Sequence, residues 1–203
     1  IGLTSELEYQ INLPNNRKIF ADIYVPEANL IIEHMGLRWH SSKFKSKEFL
    51  ADRQKAVEGE GYSFVGIFGD EWHYRTSAVK SLLAARCGKL KSRVFARRCS
   101  VSEISRDSAK SFIDQHHVQG YNSYGAKYIA LKHQEEVVAV AVITNQTSNR
   151  FATSNVQDWE LARFCSSVRV VGGAGKILSY FQNLVPSAKR VVSFSDVRLF
   201  GGG

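Results

Sequence analysis

The chain has 203 residues, which is enough for one large domain or two small ones. With 44% hydrophobic residues, 23% charged residues and only 3 prolines, its composition excludes a disordered protein. No apolar run approaches the ~20 residues of a membrane span. Three widely spaced cysteines, Cys87, Cys99 and Cys165, form neither a disulfide framework nor a zinc-ligand pattern, which favours a reduced, intracellular setting.

The net charge of +8 is concentrated in one stretch. Between His73 and Arg98 the chain has no acidic residue and eight cationic ones. A surface of one sign attracts polyanions through counterion release, so this stretch predicts nucleic-acid binding; the alternative is a solvated helix face followed by a basic linker. A basic loop over 41–47 extends the prediction. The predicted DNA-contacting residues are Arg38, Lys43, Lys45, Arg75, Lys89, Lys91, Arg93, Arg97 and Arg98.

The first half of the chain predicts a compact α/β unit. Ser5 and Glu8 have the spacing of a capping box, which predicts a short helix over 5–11. Apolar patterns over 18–25 and 29–34 predict two strands joined by a tight turn. The remaining predicted elements are a helix over 47–60, a strand over 62–68, a turn over 69–72 and a helix over 76–87.

The second half predicts a separate α+β unit. We place the boundary at 98/99, at the end of the basic stretch, so that the expected domains are 1–98 and 99–203. The predicted elements are a strand over 101–104, a helix over 107–116, strands over 128–131 and 137–144, a polar loop over 147–158, a strand over 159–164, a helix over 176–183 and a strand over 190–195.

Two acids within apolar strands, Asp22 and Glu33, and a following histidine, His40, form the most informative pattern. An acid inside a sheet costs free energy unless it is paired or binds a metal. At the ends of adjacent strands, two acids can hold a divalent cation, and a histidine can transfer a proton near neutral pH. The pattern therefore predicts metal-dependent phosphodiester hydrolysis.

This pattern also carries a resemblance to a known family. The matching residues are Asp22, Glu33, Gly36, Trp39 and His40, then a helix, then a strand ending in Asp70-Glu71-Trp72. The arrangement resembles the nuclease fold of very-short-patch repair endonucleases. It resembles more closely their phage relatives, the homing endonucleases with a Glu-Asp-x-His-Asp site. Both are branches of the PD-(D/E)xK superfamily, and the resemblance covers residues 1 to about 98.

The resemblance implies a role for each matching residue. Asp22 and Glu33 would bind the metal, which would be Mg²⁺ or Mn²⁺. His40 would be the base beside the attacked phosphate, Glu8 an outlying acid of the site, and Asp52 the residue that orients His40. The implied partner is double-stranded DNA, with a homodimer where both strands are cut, in the cytoplasm of a phage-infected bacterial host.

One position departs from the superfamily pattern, because Met35 stands where the superfamily has a catalytic lysine. This departure fits the branch that uses a histidine instead. Each site residue also has a structural interpretation. Glu8 could be a capping-box residue, and Glu33 could form an ion pair with Arg38 or Lys18. His40 could pack beside Trp39, and Asp52 could form an ion pair with Arg53 or Lys55. Trp72 could be a core residue.

The second unit contains a glycine-rich segment, Arg169-Val-Val-Gly172-Gly173-Ala174-Gly175-Lys176, which follows a strand and opens a helix. Backbone N–H groups at such a position can bind a pyrophosphate. The segment resembles the R-x-x-G-x-G/A phosphate loop of GNAT-type acyltransferases, and residues 99 to 203 resemble GNAT-like domains of such phage endonucleases and DNA-modification acyltransferases of the Mom type. The resemblance implies acyl-CoA binding through Arg169, Gly172, Gly173 and Gly175, or a module repurposed to bind DNA. A turn used only for close packing is the alternative.

Taken together, the sequence predicts a metal-dependent DNA endonuclease of the homing type. Its expected fold is α/β, with an N-terminal PD-(D/E)xK domain and a C-terminal GNAT-like α+β domain. Two other functions stay open, a GNAT-type acyltransferase or DNA-modification enzyme and a non-catalytic DNA-binding protein.

Overall fold

The computed structural model describes residues 2–36, 47–90, 92–122, 125–145 and 158–200. These residues form a mixed α/β structure that divides into two compact units. The first unit comprises residues 1–89 and 195–203, and the second comprises residues 90–194.

The described residues form eleven strands and six α-helices. The strands are β1 (Glu6–Asn12), β2 (Lys18–Val25), β3 (Leu30–Met35), β4 (Ser63–Phe68), β5 (Arg93–Phe95), β6 (Ser100–Glu103), β7 (Lys127–His133), β8 (Glu136–Thr144), β9 (Asp158–Ser166), β10 (Arg169–Val171) and β11 (Arg190–Ser193). The helices are α1 (Lys47–Gly59), α2 (Gly69–Tyr74), α3 (Thr76–Arg86), α4 (Arg106–His116), α5 (Gly173–Leu184) and α6 (Val197–Phe200).

The first unit is built on a four-stranded sheet in the order β1-β2-β3-β4. The first three strands are antiparallel neighbours, whereas β4 runs parallel to β3. A parallel neighbour requires a crossover, and α1 lies in the connection between β3 and β4. Val57 of α1 is fully buried against Ile31, Met35 and Phe64 of the sheet. The hydrophobic core therefore lies between α1 and one face of this sheet.

The prediction of a helix over 5–11 is wrong, because these residues form β1. Tyr9 is half-buried and Ile11 is buried, whereas the residues that alternate with them, Glu8 and Gln10, are exposed. This two-residue alternation is the pattern of a half-buried strand, and it outweighs a local capping-box signal carried by Ser5 and Glu8 alone. Pairing with β2 then supplies the backbone hydrogen bonds that the helix would have made.

The predicted turn over 69–72 is also wrong, because it is the start of α2. The side chain of Glu71 accepts a hydrogen bond from the backbone N–H of Phe68 at 3.0 Å and so caps this short helix. Trp72 is 44% exposed, so its predicted core position is wrong as well. The strands predicted over 18–25, 29–34 and 62–68 and the helices over 47–60 and 76–87 are confirmed within one or two residues.

The second unit is built on a five-stranded sheet in the order β11-β9-β8-β7-β6. Its neighbours are antiparallel except for β9 and β11, which are parallel. Alternate residues of β8 pack in opposite directions. Ala139, Ala141 and Ile143 join the core that contains α5, whereas Val140 and Val142 join the core that contains α4. The central strand is therefore buried on both faces, which is why it is an almost continuous apolar run.

A separate pair of strands explains where the second unit begins. β5 pairs in parallel with β10, and Val94 and Val170 pack against the same core as α5. Residues 93–98, predicted to close the first domain, thus belong with the second unit. At the other end of the chain, Leu199 of α6 is 2% exposed and belongs with the first unit. Across the described ranges, no helix has the length and apolarity to cross a membrane.

Candidate functional site

Two acidic residues occupy an interruption in the ladder between β1 and β2. Leu7 pairs with Ile23 and Tyr9 pairs with Ala21, and Glu8 and Asp22 are the residues between these two pairs. Both residues are exposed, and Glu8 has a φ of 50°. A left-handed conformation within a strand is uncommon for a residue with a side chain. The ladder is therefore irregular at the position of these two acidic residues.

Asp22 also lies where β2 and β3 separate. The last pair between these strands is Ile23 with Ile32, and one position further the Oδ2 atom of Asp22 accepts the backbone N–H of His34 at 2.7 Å. This hydrogen bond takes the place of a ladder bond and holds the carboxylate at the end of the paired region. The expectation that Asp22 is a buried acid is wrong, since its side chain reaches solvent at an irregular part of the strand.

Glu33 has a different environment. It is 6% exposed, and its Oε1 atom accepts a hydrogen bond from Arg53 of α1 at 2.7 Å. Arg53 also donates to the carbonyl oxygen of Phe20 at 2.5 Å. The structural alternative named Arg38 or Lys18 as the partner of Glu33, whereas the structure provides Arg53. A carboxylate paired with a guanidinium is a weaker metal ligand than an exposed one, because the two cations compete for the same oxygen.

The described side chains suggest which carboxylates fit a metal. Within those ranges no three His, Cys, Asp or Glu residues come together as a metal site. Mg²⁺ commonly binds through one or two carboxylates and keeps several waters, so two exposed acids are sufficient for it. Asp22 and Glu8 fit this requirement, whereas the ion pair with Arg53 makes Glu33 the less suitable ligand.

Several predicted residues lie outside the part of the chain that the structure describes. These residues are Arg38, His40, Lys43, Lys45 and Lys91. Asp52 is exposed on α1, and its neighbour Arg53 pairs with Glu33 instead of with it. The proposed roles of His40 and Asp52 stay predictions.

Exposed aromatic and basic side chains occur together on α2 and α3. Tyr74 is 80% exposed and Trp72 is 44% exposed, and the Nζ atom of Lys80 lies 6.0 Å from the centre of the Trp72 ring. Of the residues predicted to contact DNA in this unit, Lys89 is exposed and Arg75 is half-buried. This combination of cations and aromatic faces suits a nucleic-acid surface.

The glycine-rich segment of the second unit has both structural and open positions. Gly172 has a φ of 78°, and a Cβ on Gly173 would lie 3.1 Å from Val170, so conformation and packing account for both glycines. A Cβ on Gly175 would meet no atom within 4 Å. Arg169 is exposed on β10. Lys176 donates from Nζ to the carbonyl oxygens of Ala96, at 3.0 Å, and of Cys99.

Sequence reasoning missed two residues of the first site. The backbone N–H of His34 on β3 donates to Asp22, whereas its exposed side chain lies near Gly69, where a Cβ would stand 3.5 Å from Nε2. Its signal in the sequence is its position one residue after Glu33. Arg53 has no comparable signal. Its bond to Glu33 joins residues 20 positions apart, and only the docking of α1 on the sheet brings them together.

Comparisons of the chain with family models, with curated proteins and with solved structures gave no significant match. The described residues define a mixed α/β protein with two compact units.

Proposed function

We propose that the first unit is a metal-dependent DNA endonuclease that hydrolyses phosphodiester bonds. The observation that carries the proposal is the position of Glu8 and Asp22 at the interruption in the ladder between β1 and β2. Like charges on adjacent strands are unfavourable, and so is a positive φ at Glu8. A cation bound by these two exposed carboxylates would offset the repulsion between them, and the strained backbone at Glu8 is the kind of irregularity that clusters at functional sites.

The proposed metal is Mg²⁺ or Mn²⁺, held by Asp22 and Glu8. When bound, such an ion neutralises charge on the phosphate oxygens and lowers the pKa of a coordinated water. The chain's own residues would perform the other tasks. The N–H of His34 orients Asp22, and His40, placed by the resemblance, would carry the proton at neutral pH.

The arrangement of strands supports the choice of nuclease class. An antiparallel meander, β1 to β3, is followed by α1 and by β4 parallel to β3. This order is compatible with the PD-(D/E)xK fold that we propose for the first unit. For the second unit we propose a GNAT-like fold, on the basis of the parallel strands β9 and β11 and the glycine turn before α5.

Cleavage of supercoiled plasmid and of phage genomic DNA tests the nuclease proposal. We expect nicking in Mg²⁺ that a chelator abolishes. Asp22→Ala should lower the rate about 100-fold or more while leaving DNA binding nearly intact, because the carboxylate acts on the reaction rather than on binding. Glu60→Ala is the matched control, since it removes an exposed acid from the same unit. Undiminished cleavage by Asp22→Ala would overturn the proposal.

Mapping the cut ends distinguishes a nick from a double-strand break. We propose that a symmetric double-strand break requires a homodimer, and sedimentation of the chain on its target DNA measures the number of copies bound. Binding that is never followed by Mg²⁺-dependent nicking of any substrate would favour the non-catalytic DNA-binding protein instead.

A second candidate function is an acyltransferase or DNA-modification enzyme. The open space at Gly175, at the beginning of α5, favours it, because backbone N–H groups there can approach a phosphate. Calorimetric titration with acetyl-CoA tests this function. The absence of heat at a ligand concentration of about 1 mM, where weak binding is still measurable, would count against it.

A further inference from the structure

The parallel pair of β5 and β10 brings together arginines that are far apart in the sequence. Arg93 is the register partner of Arg169, so two like charges lie side by side on adjacent strands. Both residues are exposed. Because like charges in this position destabilise a sheet, the pair indicates a surface adapted to an anion.

A third arginine joins them through an aromatic ring. The guanidinium carbons of Arg93 and Arg97 lie 4.5 Å and 5.1 Å from the centre of the Phe95 ring. Such cation–π contacts position the two guanidinium groups without neutralising them. We call Arg93, Arg97 and Arg169 the arginine cluster. Within the described ranges none of its members forms an ion pair.

The segments that supply the cluster carry no acidic residue. Within the second unit, residues 90–102 contain four lysines and arginines and no acid, and residues 161–194 contain five and no acid. The pairing of β5 with β10 joins these two segments. Their combined charge is therefore of a single sign over the length of both strands, which is the electrostatic footprint of a polyanion-binding surface.

The turn that follows β5 is fixed by hydrogen bonds from a lysine of α5. Lys176 of α5 donates to the carbonyl oxygens of Ala96 and Cys99, on either side of Arg97 and Arg98. A Cβ on Gly172 would lie 3.7 Å from Ala96, so the glycine turn packs directly against this segment. Lys176 is thus a structural cation that fixes the backbone, and the arginines are the groups left to face a ligand.

We propose that the arginine cluster binds the sugar–phosphate backbone of DNA and forms a contact surface of the second unit. The inference rests on the proposed function in one respect, since that function identifies DNA as the polyanion. Arginine forks match phosphate oxygens in a bidentate manner, and backbone contacts fix the position of a protein on a duplex without reading its sequence. The sequence predicts DNA contact for Arg93 and Arg97 and cofactor binding for Arg169. In this proposal all three arginines bind the same DNA backbone.

The test is DNA binding measured without Mg²⁺, with Asp22→Asn as the background so that no cleavage occurs. The cluster variant combines Arg93→Ala, Arg97→Ala and Arg169→Ala. The control variant combines Arg106→Ala, Lys110→Ala and Lys132→Ala, which removes the same charge from positions of the second unit outside both acid-free segments. A third variant replaces the three arginines of the cluster with lysine.

Three phosphate contacts should change the salt dependence in a defined way. We expect the slope of log Kd against log salt concentration to fall by about 2 to 3 in the cluster variant, equally for unrelated sequences. The control variant should change the slope by less than about 1, and the lysine variant should retain most of it because charge is preserved. An equal slope in the cluster and control variants would overturn the inference.

Two further outcomes separate the alternatives. If acetyl-CoA binds in a cluster-dependent manner while the DNA slope is unchanged, the cluster serves the phosphates of a cofactor and the inference fails. If the cluster governs DNA binding but the unmodified chain never nicks DNA, the nuclease proposal fails and the inference stands. Nicking with an unchanged slope in the cluster variant overturns the inference alone.

Discussion

Arg53 of α1 donates a hydrogen bond to Glu33 of β3 over 2.7 Å, and the same guanidinium reaches the carbonyl oxygen of Phe20 on β2. One side chain therefore joins the helix to two neighbouring strands, the second of which also carries Asp22. The side chains of Arg53 and Glu33 are 19% and 8% exposed, so water screens this ion pair only weakly.

Removal of this guanidinium should destabilise the first unit. Arg53→Met withdraws the cation from a buried carboxylate, and we expect a loss of about 3 kcal/mol in the free energy of unfolding. The double variant Arg53→Met with Glu33→Gln should recover most of that loss, because the charge that needed the cation is absent. Urea denaturation of the two variants measures the difference. Equal stabilities of the single and double variants would contradict this account of the pair.

Replacing Glu8 should increase the stability of the first unit and slow DNA cleavage. Glu8→Gly should stabilise the first unit by about 1 kcal/mol, because glycine adopts a φ of 50° without strain. Glu8→Gln should stabilise it by about 0.5 kcal/mol, since the repulsion from Asp22 is removed. Both variants should nick plasmid DNA more slowly than the unmodified chain.

Glu6→Gln is the control for Glu8, because Glu6 lies on the same strand opposite Tyr24. It should leave both stability and nicking unchanged. If the Glu8 variants are less stable and cut DNA normally, Glu8 has a structural role and the carboxylate pair is not a site.

Much of the fold followed from the sequence, and the exceptions have physical causes. Apolar periodicity located β2, β3, α1 and α3 because burial on one face controls that pattern. It failed at 5–11, where a local capping signal competed with a strand whose partner lies beyond the next turn. It also gave no sign of β5, β10 and α6, which are short and depend on contacts made at long range.

The site was predictable in its residue types and less so in its environment. The two acids were expected at the ends of adjacent strands, whereas Asp22 lies within β2 and Glu33 within β3. The exposure of Asp22 was not expected either, because it depends on where β2 separates from β3. A helix over 5–11 has no strand partner, so the predicted helix gave no indication that Glu8 lies next to Asp22 in a sheet. The partner of Glu33 depended on the docking of α1, which no local pattern encodes.

The C-terminal helix α6 should be required for the stability of the first unit. Arg198 bonds to Glu71 at 2.5 Å, to Asp196 at 2.8 Å and to the carbonyl oxygen of Gly66 at 2.8 Å, and Leu199 is buried. Removal of residues 195–203 should destabilise this unit by about 3 kcal/mol or more, because Glu71 and Gly66 lose a buried partner.

Hydrogen exchange measures this effect in each unit separately. Backbone amides of β4 should exchange faster after the truncation, whereas those of β8 in the second unit should not change. A chain that ends at residue 200 is the control, since it keeps α6. Unchanged protection of β4 in the shorter chain would show that α6 contributes no stability there.

Two glycines of the glycine-rich segment, Gly172 and Gly175, should respond to alanine in opposite directions. Gly172→Ala should cost about 1 kcal/mol, because its φ of 78° is unfavourable for a residue with a Cβ. Gly175→Ala should stabilise the second unit by about 0.5 kcal/mol, since the added methyl group meets no atom within 4 Å and alanine favours a helix. Thermal denaturation measures both changes. If Gly175→Ala weakens acetyl-CoA binding while it stabilises the unit, the result supports the acyltransferase function. An equal loss of stability in both variants would show that Gly172 and Gly175 do not differ in their structural roles.

Burial lowers the pKa of His116 below its ordinary value of 6.5. The ring is half-buried on α4, 4.5 Å from the ring of Phe112. As the pH falls through about 6.5, the unfolded chain binds a proton that the folded chain does not, so the folded state loses stability until the pH passes the lowered pKa. The stability that the neutral ring contributes is therefore present above about pH 6.5 and lost below it. We expect His116→Gln to reduce the difference in the free energy of unfolding between about pH 7.5 and about pH 5.5. Denaturation curves at the two pH values provide the comparison, and an unaltered pH dependence in His116→Gln would exclude this histidine as the acid-sensitive group.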